Sequence, residues 1–154
     1  MRTACLLPLA LLAPGHAFAA DAVALDNSVF VERVTTDASG KQRVLLEEPR
    51  AVTSGDRLVF VLAYRNAGNQ PADRLVITNP LPAAVRFTGA GDHAPLVSVD
   101  GGHAWGPLAE LTIRQPDGSR RPAQPSDVTH VRWAFQRPVP AGASGKLLFR
   151  GVVR

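Results

Sequence analysis

Large apolar residues recur at every second position over most of this chain, the spacing of strands whose side chains alternate between two faces. In Leu58-Val59-Phe60-Val61-Leu62-Ala63-Tyr64 the large residues Leu58, Phe60, Leu62 and Tyr64 share one face. Val59, Val61 and Ala63 occupy the other, so both faces are apolar and the segment predicts a strand in the middle of a sheet. The polar stretch Asn66-Ala67-Gly68-Asn69-Gln70-Pro71 supplies turn residues. A second run follows, with Leu75 and Ile77 on one face and Val76 and Thr78 on the other. Pro80 and Pro82 lack the N–H a ladder requires and predict its end. A short strand is then expected over Val85–Thr88.

The same pattern fills the rest of the chain. Ser28–Thr35 sets Val29, Val31 and Arg33 against Phe30, Glu32 and Val34, and Asp37-Ala38-Ser39-Gly40 turns it back into Gln42–Glu47. Leu96–Val99 meets Asp100-Gly101-Gly102, a hairpin signal ahead of His103-Ala104-Trp105. Leu111 and Ile113 alternate with Thr112 and Arg114 before Pro116-Asp117-Gly118. Val131, Trp133 and Phe135 line one face of a later strand, and a last strand is expected over Leu147–Val153. The least regular segment, 115–129, holds Pro116, Pro122 and Pro125 and reads as either a long inter-strand excursion or a mobile loop. Short strands, closely spaced turns and no helical period predict an all-β, antiparallel sandwich of about eight to ten strands.

The N-terminus follows a different rule. Arg2, the apolar stretch Ala4–Ala13, the Pro14-Gly15 break and Ala17-Phe18-Ala19 have the order of a secretory signal peptide, with cleavage expected after Ala19. The stretch is too short for a membrane span, and no later apolar run is long enough for one. Residues 20–154 then form a single domain, placed in a periplasm or outside the cell. Cys5, the chain's one cysteine, leaves with the signal, so neither a disulfide nor a thiolate site is expected in the exported part.

Charge adds little. Without Arg2 the chain carries 16 Lys and Arg against 13 Asp and Glu, and only Lys41 and Lys146 are lysines. Arg120-Arg121 is the one adjacent basic pair, and no basic stripe interleaved with aromatics suggests a nucleic-acid partner.

The segment VFVLAYRNAGNQPADRLVITNPLPAAVRF resembles the opening of the bacterial and archaeal DUF11-type Ig-like domain. That family has an aliphatic strand ending in aromatic-x-Asn, a Gly-containing turn, and a second strand running into Asp-x-Leu-Pro. VSVDGGHAW and VRWAFQRPVPAGASGKLLFRGVVR are similar to its Gly-turn hairpin, its tryptophan strand and its turn before the final strand. The resemblance covers about residues 50–154, with Asn79 standing where an acidic residue is commoner. It implies an Ig-like β-sandwich of the structural or interaction kind, without a family-wide catalytic site. The family usually occurs as tandem modules, whereas this chain has room for one.

Candidate chemistry is sparse. His93 and His103, with Asp92, Asp100 and Glu110 nearby, are the residues a small metal-dependent or hydrolytic enzyme would use, but their spacing fits no metal signature. Surface histidines explain them more simply, and His130 alternates away from the apolar face of its strand. Asp92, Asp100 and Asp117 lie in turns where calcium could bind, yet Asp in turns usually satisfies backbone N–H groups. No serine sits in a Gly-x-Ser-x-Gly elbow; Ser144 in Gly142-Ala143-Ser144-Gly145 has the wrong spacing. Trp105, Arg120 and Arg121 are the candidate binding residues: Trp105 as an aromatic platform, with core packing the plainer reading, and the arginines as contacts for an anionic partner.

No cofactor and no small-molecule ligand are indicated. The expected function is non-catalytic protein–protein interaction or structural assembly outside the cytoplasm, with another extracytoplasmic protein or with itself. The contact is expected through a sheet edge, the C-terminal strand being the candidate, or through Trp105 and the 115–129 loops. The rival is the small exported enzyme using His93 and His103. A subunit-capping chaperone would normally need two domains.

Overall fold

The computed structural model describes residues 23–154. The expected leader, its expected cleavage after Ala19 and Cys5 lie outside the described residues. The strands are β1 (Val23–Thr36), β2 (Gln42–Glu47), β3 (Arg57–Asn66), β4 (Val76–Pro80), β5 (Val85–Ala90), β6 (Leu96–Ser98), β7 (Thr112–Arg114), β8 (Arg120–Pro122), β9 (His130–Ala134) and β10 (Ser144–Val153). The fold is all-β and antiparallel. It comprises a five-stranded sheet ordered β2-β1-β3-β10-β5, a three-stranded sheet ordered β4-β9-β6, and the β7-β8 ribbon.

Strand β3 lies between β1 and β10, as its two apolar faces predict. Its inner residues Leu58, Phe60 and Leu62 join Phe87, Leu147 and Phe149 from the same sheet and Ile77, Val97, Val131 and Trp133 from the three-stranded sheet in one apolar core. Phe60 stacks on its cross-strand partner Phe149 with ring centroids 4.4 Å apart, and Trp133 approaches Phe149 at 6.2 Å. On the outer face of β3, Val59 is only 1% exposed, and Val61 and Ala63 are half-buried.

Three local expectations are corrected, whereas the β4 ladder does end at Pro80, the last residue of the strand, opposite His130, with one further bond beyond it from Leu81 N–H to Thr129 O at 2.8 Å. Proline is tolerated there because β4 is an edge strand. The Gly101-Gly102 hairpin contracts to a single bridge between Val97 and Gly106. His103, Ala104 and Trp105 stay out of the sheet because side chains organise the loop instead. Asp100 Oδ1 accepts from Ser98 Oγ at 2.7 Å and from the N–H groups of His103 and Ala104 at 3.1 and 3.0 Å. Segment 115–129 is neither a bare excursion nor a loop, since it contains β8 and a 3-10 turn over Pro125–Asp127. Lastly, β10 is not an available edge; it is interior, between β3 and β5.

Candidate functional site

The three binding residues expected from the sequence each make their own contacts. Trp105 is half-buried and lies outside the core, against the outer face of the three-stranded sheet. Its Nε1 donates to Gly102 O at 2.8 Å, and the cation over its ring is Arg132, 3.6 Å from the centroid. His130, two residues along the same strand, meets the indole edge to face at 6.2 Å. An aromatic platform already covered by a guanidinium is part of the surface architecture.

Arg121 is also engaged. Its Nη1 and Nη2 donate to Asp127 Oδ2 and Oδ1 at 2.6 and 2.8 Å, a bidentate pair tying β8 to the following 3-10 turn. These hydrogen bonds, with one from Gln124 N–H, hold the Asp127 carboxyl down at about 2 and raise the Arg121 guanidinium. Arg120 is exposed and makes only a long contact to Thr112 Oγ1, at 3.4 Å.

The histidines do not converge on a metal: among the described residues no three His, Cys, Asp or Glu side chains are placed to share an ion. The backbone carbonyl of His93 accepts from Trp133 Nε1 at 2.9 Å, and His103 is exposed beside Asp100. Asp100 and Asp117 both accept from neighbouring backbone and serine donors, which lowers their carboxyl pKa values. An open cleft of about 560 Å³ over Trp133 and Phe135 presents Asp92, His93, Arg132 and Gln136, with no serine in its lining.

The feature that stands apart is the β1-β2 hairpin. Val31 is the only residue of β1 with partners on both edges, Leu58 of β3 on one and Glu47 of β2 on the other. Residues Val23–Val31 pair with β3, and Val31–Thr36 pair with β2. At about 3.3 Å per residue, the hairpin runs roughly 17 Å past the last β1–β3 pair. Its turn is fixed by Asp37, whose Oδ1 accepts from Ser39 N at 3.0 Å and Lys41 N at 3.1 Å, and by Gly40 at φ 81°. Its base is fixed by Arg33, which donates to Asp56 Oδ1 at 2.8 Å. Asp56 Oδ2 also accepts from Thr53 N at 2.8 Å, and the two contacts lower the Asp56 carboxyl.

All six residues of β2 are exposed. Val44, Leu45 and Leu46 are 58, 46 and 49% exposed, and Val34, opposite Val44, is 54% exposed. Three consecutive apolar residues on an outermost strand combine open backbone groups with a sticky surface. The strand itself was legible in the sequence, but its exposure was not: an apolar alternation does not say whether a second sheet lies over it. The available signal was Val44-Leu45-Leu46 between charged Arg43 and Glu47.

Among the described residues, no helix is long and apolar enough to cross a membrane. Comparison with known proteins gave no matching family model, no matching curated protein and no matching solved structure.

Proposed function

We propose that this chain is an exported, non-catalytic Ig-like module of the DUF11 type that works in protein assembly outside the cytoplasm, by strand addition along β2. The observation that carries the reading is the β2 edge, a rigidly based strand with three exposed apolar residues and one paired side. An incoming strand would gain backbone hydrogen bonds and cover Val44, Leu45 and Leu46. The antiparallel all-β fold and the single core drawn from two sheets support the Ig-like part of the reading. The DUF11 part rests on the motifs quoted above, and export rests on the signal pattern of residues 1–19.

The test is a photo-crosslinking residue at position 45, with adducts recovered from the extracytoplasmic fraction. A discrete protein adduct that disappears when the crosslinker is moved to exposed Arg120 is expected. Recovery only from the cytoplasm, or no adduct at position 45, removes the reading.

A further inference from the structure

The partner that β2 fits best is written in β2 itself. When two copies of a strand pair antiparallel about a two-fold axis, one residue faces its own copy and the flanking positions pair symmetrically. Centred on Leu45, the segment Arg43-Val44-Leu45-Leu46-Glu47 is self-complementary. Arg43 meets Glu47 of the second copy, Val44 meets Leu46, and Leu45 meets Leu45, with the first two pairs each formed twice. Opposite charges and matched aliphatics directly across a ladder are the pairs that stabilise sheets.

The fit belongs to one register. Centring on Val44 sets Arg43 against Leu45 and Gln42 against Leu46, and centring on Leu46 sets Leu45 against Glu47 and Val44 against Glu48. Slides by one residue put side chains on opposite faces. In the Leu45-centred register Val44 and Leu46 lie on one face, which Val34 extends from β1, so one continuous aliphatic strip runs across both copies. The other face carries the two Arg43–Glu47 pairs around Leu45. Arg43 and Glu47 are both exposed, and Arg43 Nε also lies 3.4 Å from Asp37 Oδ2 within its own hairpin, at the exposed surface.

Apart from the side of Val23–Phe30 in β1 that faces away from β3, the other outer edges of the two larger sheets are blunted in ways that β2 is not. Strand β4 carries Pro80, β6 is three residues long and bridged by Gly106, and β5 meets a register shift at Arg150/Gly151 of its neighbour. Proline, short length and bulges are the usual protections against edge pairing. The free edge of β2 has neither proline nor bulge within Gln42–Glu47.

We propose that the β2 strands of two copies pair antiparallel about Leu45, joining two five-stranded sheets into one continuous ten-stranded sheet. This rests on the strand-addition reading and names its partner as a second copy of the chain.

The decisive experiment is sedimentation of the protein purified from its native compartment over a range of concentrations, for wild type, Arg43→Glu, Glu47→Arg and Leu45→Lys, each checked for folding by circular dichroism. Wild type is expected to double its mass as concentration rises. Each single variant sets like charges face to face and weakens self-association roughly tenfold or more. An equimolar mixture of Arg43→Glu and Glu47→Arg restores the dimer, because every altered position then meets its opposite charge. A wild type that stays monomeric overturns the proposal, as does a mixture no more dimeric than its components. If wild type is monomeric but position 45 crosslinks to a different extracytoplasmic protein, the second-copy partner falls and strand addition stands. If position 45 crosslinks to nothing, both fall.

Discussion

The Nδ2 of Asn66 donates to the carbonyl oxygen of Val139 at 2.9 Å, joining the end of β3 to the approach of β10 across 73 residues of sequence. The same amide donates to Gln70 O at 2.8 Å and accepts from Gly68 N at 3.0 Å, so one fully buried side chain closes the turn after β3 and fastens it to the chain that returns beside it. Its backbone adds to the clamp, donating to Ala143 O and accepting from Gly142 N, each at 2.8 Å. This is the asparagine of the aromatic-x-Asn motif, and it acts as a hub.

Replacing Asn66 by alanine removes three hydrogen bonds, from part-buried Gly68 N–H, to Gln70 O and to Val139 O in the interior. At about 0.5–1.5 kcal/mol for each intramolecular hydrogen bond, a loss of about 1–3 kcal/mol is expected in urea unfolding. Asn66→Asp keeps the acceptor for Gly68 but turns a carboxylate toward two carbonyl oxygens, so at neutral pH it is the more damaging change. An alanine variant as stable as wild type would remove the hub role.

A second polar link joins the two larger sheets. Asn27 Nδ2 on β1 donates to Asn79 Oδ1 on β4 at 2.9 Å, and Asn79 Nδ2 donates to Pro80 O at 2.9 Å. A double-mutant cycle with Asn27→Ala and Asn79→Ala isolates this bond and is expected to return a coupling of about 0.5–1.5 kcal/mol. Additive single effects would show that the sheets are held by apolar contact alone at this point.

These amides mark where sequence reasoning stops. The Asp37–Gly40 turn placed β2 at its observed bounds, and period-two alternation put Leu58, Phe60 and Leu62 together on the one face of β3 that joins the core, because turn chemistry and strand periodicity are local. The Asn27–Asn79 link spans 52 residues and depends on how two sheets face each other, which alternation does not encode. Gly101-Gly102 predicted a hairpin, but the Ser98 hydroxyl and Asp100 carboxylate captured the backbone donors that a ladder would have used. Prolines hid β8, where Pro122 sits opposite Thr112 at the end of a two-stranded ribbon. Trp105 carried a sequence signal as the aromatic after a Gly-rich turn, while Arg132, which occupies its face, carried none because the two lie 27 positions apart.

The Trp105–Arg132 contact has its own test. Arg132 also donates from Nε to Thr78 Oγ1 at 3.1 Å, which orients the guanidinium over the indole. Arg132→Ala is expected to cost about 0.5–1 kcal/mol and to shift the tryptophan emission to the red as Trp105 gains solvent. Trp133, 5% exposed and bonded to His93 O, supplies an unchanged background. Arg132→Lys keeps a cation but loses the planar fork, so its emission should fall between the two. Emission identical in all three proteins would place the guanidinium elsewhere in solution.

Acid should loosen the β8 region in a defined window. The Asp127 carboxyl is held at about 2 by the bidentate Arg121 bonds, against an ordinary value of 3.8. Between those values the unfolded chain binds more protons than the folded one, so stability rises with pH there. The contribution of Asp127 is therefore complete above about pH 4 and disappears as pH falls through about 2. Asp37, Asp56, Asp100 and Asp117 are lowered too, so wild-type acid unfolding mixes several carboxylates. Asp127→Asn separates them, because it removes one titration and leaves the others. Wild type should be the more stable protein at pH 7, with the difference closing steadily between pH 4 and pH 2. A difference that does not change across that window would mean that Arg121 and Asp127 are not paired in the folded protein.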